Sequence, residues 1–326
     1  MSLSKRFTSP EEVAGSTDQL PSQAAWSKWK RWFAWPSLWI AGKLIRRDAL
    51  VVLNYHQVSP VFDPAIHFAG TWTSLVDFER AVEHLQRSYR IVRLSEGLRR
   101  LQEGTLRGIV VALSFDDGHH SVAEHVIPFL TQRRIPASLF INSSYLGSRE
   151  CSPEHAWNYW LNAPSSTPER RRRAAAIDLS LMRRTTSRDT YWRLVDQIRA
   201  LGSPDVPLSV TMDFLRGLDE SLFEVGLHGH EHLRFSMLDE DLRRRNLEEN
   251  ARILGTLATY RPVFALPYGR PFDWDRETVR LCLQMGLEVC LADGGVSRSG
   301  DLMVRRIPAD SVRSIQRLLL RELVAR

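Results

Sequence analysis

At 326 residues, with 43% hydrophobic and 25% charged side chains, the chain can bury one sizeable core, or one core with an insert, and is too apolar for a disordered protein. Its 44 basic and 38 acidic residues leave a net charge of +6, which suits an anionic partner or surface without naming either. Cys151, Cys282 and Cys290 form no metal-ligand spacing and suggest no disulfide framework. No zinc-finger spacing, RNA-binding aromatic motif or phosphate-cradling glycine loop appears, so no nucleic acid partner is expected.

Residues 1–22 are polar, with scattered Ser, Pro and Glu, and read as a flexible tail. In residues 23–47 the character changes. Trp26, Trp29, Trp32, Phe33, Trp35 and Trp39 are interleaved with Lys28, Lys30, Arg31 and Lys43, and Arg46 and Arg47 follow. Tryptophan and basic side chains favour the headgroup layer of a membrane, where a ring is partly buried and a cation stays wet. The apolar run 32–42 is too short to span a bilayer and contains Pro36. As a signal peptide the arm is poor, because its basic part comes late and no small-residue cleavage site follows cleanly. Peripheral membrane contact through residues 24–47, packing on the protein's own body, and a cleaved or anchoring signal remain as three readings.

Residues 48–326 alternate strands with helices, the pattern of a largely parallel α/β domain. A strand at 51–53 leads into Asn54, Tyr55, His56 and Gln57, and His56 reads either as a site residue or as a structural histidine. Phe78, Val82 and Leu85 give a helix one apolar face. A short strand follows at 89–94, and Ser95 is a candidate cap for a helix through Leu98 and Leu101. The apolar strand 109–113 ends in Asp116, Asp117 and Gly118. Paired carboxylates seldom stay close without a cation or a shared proton, although Asp-Gly is also a common solvated turn. A helix at 122–130 and a strand at 136–141 continue the rhythm.

Residues 151–205 interrupt it with Trp157, Tyr159, Trp160, a Pro-Ser-Ser-Thr-Pro run and the basic run 170–173. They read as a helical insertion near the site entrance. The arginines suit a solvated helix face or, failing that, a phosphate. The alternation resumes with a strand at 223–227 that delivers His228, Gly229, His230, Glu231 and His232. Ser236 is a candidate cap for the helix carrying Leu242, Leu247, Ala251 and Leu254. A strand at 263–266 precedes Pro267, Tyr268 and Gly269. A helix at 278–285 and a strand at 287–291 follow. A last helix, starting after Asp310 or Ser311, buries Ile315, Leu318, Leu319 and Leu323.

His228 and His232 are four apart, which gives one face on a helix and, at a strand end, can also bring both rings to one ion. Two histidines and one carboxylate leave positions open for water and substrate, as catalytic metals require. Asp116 or Asp117 can supply that carboxylate, and the other can take a proton from the attacking water.

With these segments in view, the chain resembles the polysaccharide deacetylase family, the NodB-homology or carbohydrate esterase family 4 enzymes. Ser114-Phe115-Asp116-Asp117-Gly118 is similar to the first family motif, residues 226–232 to the second and residues 264–269 to the third. Tyr55-His56-Gln57-Val58 and Arg306-Ile307-Pro308 are also like segments of many members. The resemblance runs from about residue 51 to 308. It implies an irregular (β/α)7 barrel of NodB type, here with a helical insertion, and an active site at the C-terminal ends of the strands.

The implied reaction is hydrolysis of the N-acetyl group of an amino sugar in a polysaccharide or glycolipid. The family pattern makes Asp116 the base and assigns a divalent ion to Asp117, His228 and His232. Zinc is the expected ion, with cobalt, nickel or iron as alternatives. Pro267, Tyr268 and Gly269 would form a wall of the substrate groove, and the backbone N–H near Tyr268 would help stabilise the oxyanion. Two positions depart from the family pattern. Ala265 stands where many members carry an arginine that orients the base, and Arg306 and Arg270 are the candidates to replace it. No histidine follows His232 to serve as the usual late general acid, which leaves His56, His119 or His120, or assistance from metal-bound water. Alternative functions are an N-deformylase or other amidohydrolase on a lipid-linked sugar, and a noncatalytic carbohydrate-binding relative. A bacterial cytoplasmic or peripheral inner-membrane location is expected, with the periplasm as the alternative.

Overall fold

The computed structural model describes residues 48–291, 294–298, 303–310 and 315–324. The expected tail and tryptophan-rich arm, residues 1–47, lie outside them. Among the described residues ten strands occur in chain order: β1 (Ala49–Tyr55), β2 (Gln57–Ser59), β3 (Trp72–Ser74), β4 (Arg90–Ile91), β5 (Ile109–Phe115), β6 (Ala137–Ile141), β7 (Phe223–Leu227), β8 (Tyr260–Ala265), β9 (Glu288–Leu291) and β10 (Val304–Pro308). The order β1-β10-β9-β8-β7-β6-β5, with β5 pairing back to β1, makes a seven-stranded parallel barrel. The irregularity of the barrel lies at β5. All of β5 pairs with β1 on one edge. The other edge is divided, with β4 on Val110 and Val111 and β6 only on Ser114 and Phe115.

Parallel strands must be joined by crossovers that cover the sheet, so each strand is buried on both faces. The outward face of the strands, including Val51, Leu53, Leu113, Leu139, Val225 and Phe264, packs against the helices. Helix Leu75–Ser88 contributes Phe78, Ala81, Val82 and Leu85 to that layer, and Ser74 caps it by accepting from the Asp77 N–H. The inward face holds Leu50, Val52, Val110, Ala112, Phe140, Val263 and Ala265 in a second cluster with Leu94, Leu98 and Leu101 of helix Leu94–Gln102. That helix closes the N-terminal end of the barrel.

Two expected caps are placed differently. Arg93, not Ser95, is the N-cap of helix Leu94–Gln102. The Ser95 hydroxyl and N–H both donate to Glu224, a carboxylate buried on β7, so a tertiary acceptor takes the donors a cap would have used. Asp239, not Ser236, caps helix Glu240–Leu254 by accepting from Leu242. Ser236 instead donates to the Phe272 carbonyl.

The insertion consists of helices Pro153–Asn162, Pro168–Ala175, Leu179–Arg184 and Arg188–Arg199. They share a core of Trp160, Met182, Tyr191, Leu194 and Ile198, which also takes in Ala65 and Met237. The basic run is a largely exposed helix face that staples this unit together. Arg170 lies 3.8 Å over the Trp160 ring, while Arg171 and Arg173 donate to the carbonyls of Ala163 and Ala200. Among the described residues no helix is long and apolar enough to cross a membrane.

Candidate metal centre

The site lies at the C-terminal mouth of the barrel. The inward face of the strands changes there from apolar to polar: Asn54 on β1, Ser114 on β5 and Arg306 on β10 stand above the Leu50 and Val52 layer. Asp116 and Asp117 follow β5. Asp117 adopts φ 68° and Gly118 φ 66°, so two left-handed residues in succession turn the chain at the strand end. A non-glycine residue rarely holds that conformation without a reason in its surroundings. At Gly118 the space is also closed, since a Cβ would lie 2.9 Å from Ile141.

Asp117 Oδ1 lies 3.3 Å from His228 Nε2 and 3.4 Å from His232 Nε2. One ligand atom from each of the three residues falls within 4.8 Å of the others. Asp117 Oδ1 is buried and has no hydrogen-bond partner of good geometry among the described residues. His228 Nδ1 lies 2.7 Å from the Ala265 carbonyl and so carries the ring proton, which leaves Nε2 with a lone pair facing Asp117. Ligands at about 2.0–2.2 Å from a tetrahedral zinc lie about 3.3–3.5 Å from one another. The donor set and its spacing therefore fit a divalent ion of this class.

Helix Glu240–Leu254 holds the histidine loop in place. Asn250 Oδ1 accepts from the His228 N–H and Asn246 Oδ1 from the His230 N–H, four residues apart on one buried face. Burial opposes ionisation of Asp117, yet His232, His119 and His228 hold its pKa well below the usual carboxylate range. Burial likewise disfavours a charged His232, but Asp117 and Glu154 raise its pKa.

Asp116 is gripped from below. Arg306 Nη1 donates to Oδ1 at 2.7 Å and Nη2 to Oδ2 at 2.8 Å, and Asn54 Nδ2 adds 3.0 Å to Oδ2. Both residues of the ion pair are buried, at 0% and 2% exposure, a case in which bidentate geometry and full satisfaction matter most. Burial raises the Asp116 pKa, but Arg306, His228 and His56 outweigh it and bring it to about 2. Of the two arginines considered in place of one at Ala265, Arg306 is the one that contacts Asp116. Arg270 is engaged elsewhere, with Asp273 at 2.8 Å and the Arg183 carbonyl.

Of the three histidines left open as acid, His56 has its own carboxylate. Its Nδ1 is 2.6 Å from Asp310 Oδ2, its backbone N–H donates to Asp310 Oδ1, and its Nε2 is 3.8 Å from Asp116 Oδ2. Burial lowers its pKa, but Asp310, Asp116 and Asp117 together raise it to about 9. His119 is buried with Nε2 3.2 Å from Asp117 Oδ2, on the side of that carboxylate away from His228. His120 is exposed.

Two residues were not singled out from the sequence. Asp310 reads as the start of the last helix, yet it faces His56. Glu154 reads as an ordinary acidic residue in the first turn of a helix, where the dipole favours it. In the fold it is 3% exposed, accepts from the Tyr268 hydroxyl and lies 3.9 Å from His232 Nδ1. The insertion therefore supplies a carboxylate directly behind the metal-facing ring. Tyr268, at φ 61°, packs its ring 4.6 Å from that of His232, between the buried Pro267 and Gly269.

Comparison with known proteins is consistent with this layout. No curated protein matches the chain in sequence. The structure is similar to IcaB from Ammonifex degensii, with TM-score 0.51 and 22% identity, covering 82% of this chain and 94% of that one. It is similar to a de-N-acetylase from Aggregatibacter actinomycetemcomitans, with TM-score 0.54, 16% identity and coverage of 83% and 100%. A polysaccharide deacetylase from Bacillus cereus gives TM-score 0.56, 12% identity and coverage of 84% and 69%. At these identities the likeness is one of fold. The family model described as polysaccharide deacetylase matches residues 103–290, which include Asp116, Asp117, His228 and His232 but not His56, Arg306 or Asp310. That match spans more than half of the chain: it belongs to the polysaccharide deacetylase family, and hydrolytic deacetylation of a carbohydrate is the reaction class this membership brings.

Proposed function

We propose that the chain removes the N-acetyl group from an amino sugar of a polysaccharide or glycolipid, using a divalent ion, zinc in the first instance, held by Asp117, His228 and His232. The observation that carries this reading is the buried Asp117 oxygen with no hydrogen-bond partner of good geometry among the described residues, set 3.3–3.4 Å from two histidine nitrogens. An ion there supplies Lewis acidity to the scissile carbonyl and to the attacking water.

The chain's own residues move the protons. Asp116, fixed on both oxygens by Arg306, takes the proton of the attacking water. Those same contacts make Asp116 a weak base, so the transfer depends on water acidified at this site. His56, whose charged form Asp310 favours, gives its Nε2 proton to the leaving amine. The 3.8 Å gap between His56 and Asp116 lets the proton taken by one restore the other after product leaves. The Asp310 carboxylate fixes the His56 ring and stabilises its charged form. Tyr268 borders the ion-facing His232 and suits a wall of the sugar groove. Residues 24–47 are proposed to hold the enzyme at an anionic membrane face, near lipid-linked glycans. Vesicle flotation with and without that segment tests this, and equal flotation would remove the role.

A mass-spectrometric screen of acylated amino sugars, free and lipid-linked, with metal-replete protein tests the reaction. Loss of one acetyl group is expected, and its absence in Asp116→Asn and in His228→Ala. Undiminished hydrolysis in both variants would refute the mechanism, and release of formate instead of acetate would correct the acyl group.

A further inference from the structure

The Asp117 carboxylate has a second face. Oδ1 is turned to His228 and His232, whereas Oδ2 is turned to His119 Nε2 at 3.2 Å. Beyond His119 stands His155, from the first helix of the insertion, with the two rings 4.7 Å apart. One ligand atom each from Asp117, His119 and His155 falls within 4.8 Å of the others. They line a small, partly open cavity of about 10 Å³, together with Tyr145 and Cys151. A space of that size holds one water molecule or one ion.

We propose that Asp117, His119 and His155 form a second divalent-cation site, with the Asp117 carboxylate shared between the two ions. His155 is the observation that points to a ligand. It is 8% exposed, and its Nε2 is buried with no hydrogen-bond partner among the described residues. A buried ring nitrogen without a partner is costly, and a cation is a partner that a lone pair can take. Nδ1 lies 2.7 Å from Ser152 Oγ, an outer contact able to fix the tautomer that leaves the lone pair on Nε2. The 3.2 Å between Asp117 Oδ2 and His119 Nε2 is close to the separation of two ligands on one tetrahedral ion, as at the first site. The His119 turn is rigid, because Val210 donates to the Gly118 carbonyl and His120 to that of Leu208. The ligands are two imidazoles and a carboxylate, so the cation is of the zinc or cobalt class, not magnesium or calcium. A carboxylate bridging two ions is the arrangement that two-metal hydrolytic sites use.

The proposal rests on the reading of Asp117, His228 and His232 as the first site, and metal counting separates the two. The full chain is stripped with a chelator, reloaded with zinc, freed of excess and assayed for zinc per chain. Two are expected in the wild type, one in His155→Ala, one in His119→Ala and one in His228→Ala. His155→Asn, which keeps a polar side chain in the cavity, covers the case in which the alanine variant does not fold and is also expected to hold one. One zinc in the wild type, unchanged in the His155 variants and lost in His228→Ala, would overturn the second site and leave the first standing. His119 would then only donate to Asp117. One zinc lost in the His155 variants but kept in His228→Ala would overturn the first site and keep the second. No zinc in any form would overturn both.

Discussion

Replacing Asp310 with asparagine isolates the proposed acid without disturbing the ion ligands. Asn keeps the size of the side chain and an oxygen to accept the His56 N–H, but removes the negative charge 2.6 Å from His56 Nδ1. In the wild type the folded-state pKa of His56 is raised from 6.5 to about 9, so the ring is protonated below that pH and loses its proton above it. Without Asp310, burial acts against fewer opposing charges and the value falls to about 6.5 or below. At pH 8 the protonated fraction then drops from about nine-tenths to about 3%, a loss of about 30-fold in rate if His56 is the acid. Charge on the bound ion lowers both values together, so the same ratio is then read at a correspondingly lower pH, about one unit below the wild-type value. The assay is kcat and kcat/KM between pH 5 and 10 on an acetylated amino sugar, with the His56 ring titrated in parallel by NMR. The basic limb should move toward acid by the same amount as the ring. If the ring titration moves and the basic limb stays, His56 is not the proton donor and the reasoning fails.

Three further outcomes follow from the same geometry. Arg306→Met leaves Asp116 buried beside no cation from below. Stability should fall by about 3–5 kcal/mol in urea titration and the acidic limb of the rate profile should rise in pH. Glu154→Gln removes the charge behind His232 and should weaken zinc binding by about 10–100-fold in competition with a chromophoric chelator, while far-ultraviolet circular dichroism stays unchanged. Gly226→Ala places a Cβ 2.5 Å from the Phe140 ring and 2.8 Å from the Val263 carbonyl, which should cost about 1–3 kcal/mol. Because the Arg306 guanidinium lies 5.2 Å over that ring, kcat should fall more than KM changes.

The grouping of the two carboxylates with His228 and His232 was legible because each pair sits within a few residues at the end of an apolar strand. Local sequence fixes their spacing, and parallel strands bring all such ends to one mouth. The partners of those groups were not legible for the opposite reason. Asp310 and His56 are 254 residues apart, and Glu154 and Tyr268 are 114 apart. Nothing local distinguishes Asp310 from a helix cap, or Glu154 from a first-turn acid. The misplaced caps show the same limit. Ser95 matches a capping pattern, yet a buried Glu224 from 129 residues away is the stronger acceptor. Arg306 was legible as one of two candidates, and the choice needed the register of β10 on β1, which sets Arg306 opposite Val52, two residues before Asn54.

The origin of the proton-handling partners has a consequence for how the enzyme comes into being. Arg306 and Asp310 both belong to the final strand and the turn that follows it, and that strand is the one whose pairing with β1 completes the ring. A chain that stops before Val304 would still carry Asp117, His228 and His232, and so retain the means to capture an ion. It would lack the guanidinium that aims Asp116 and the carboxylate that charges His56. The two groups that grip Asp116 and His56 therefore arrive last in the chain, with β10 and the turn after it.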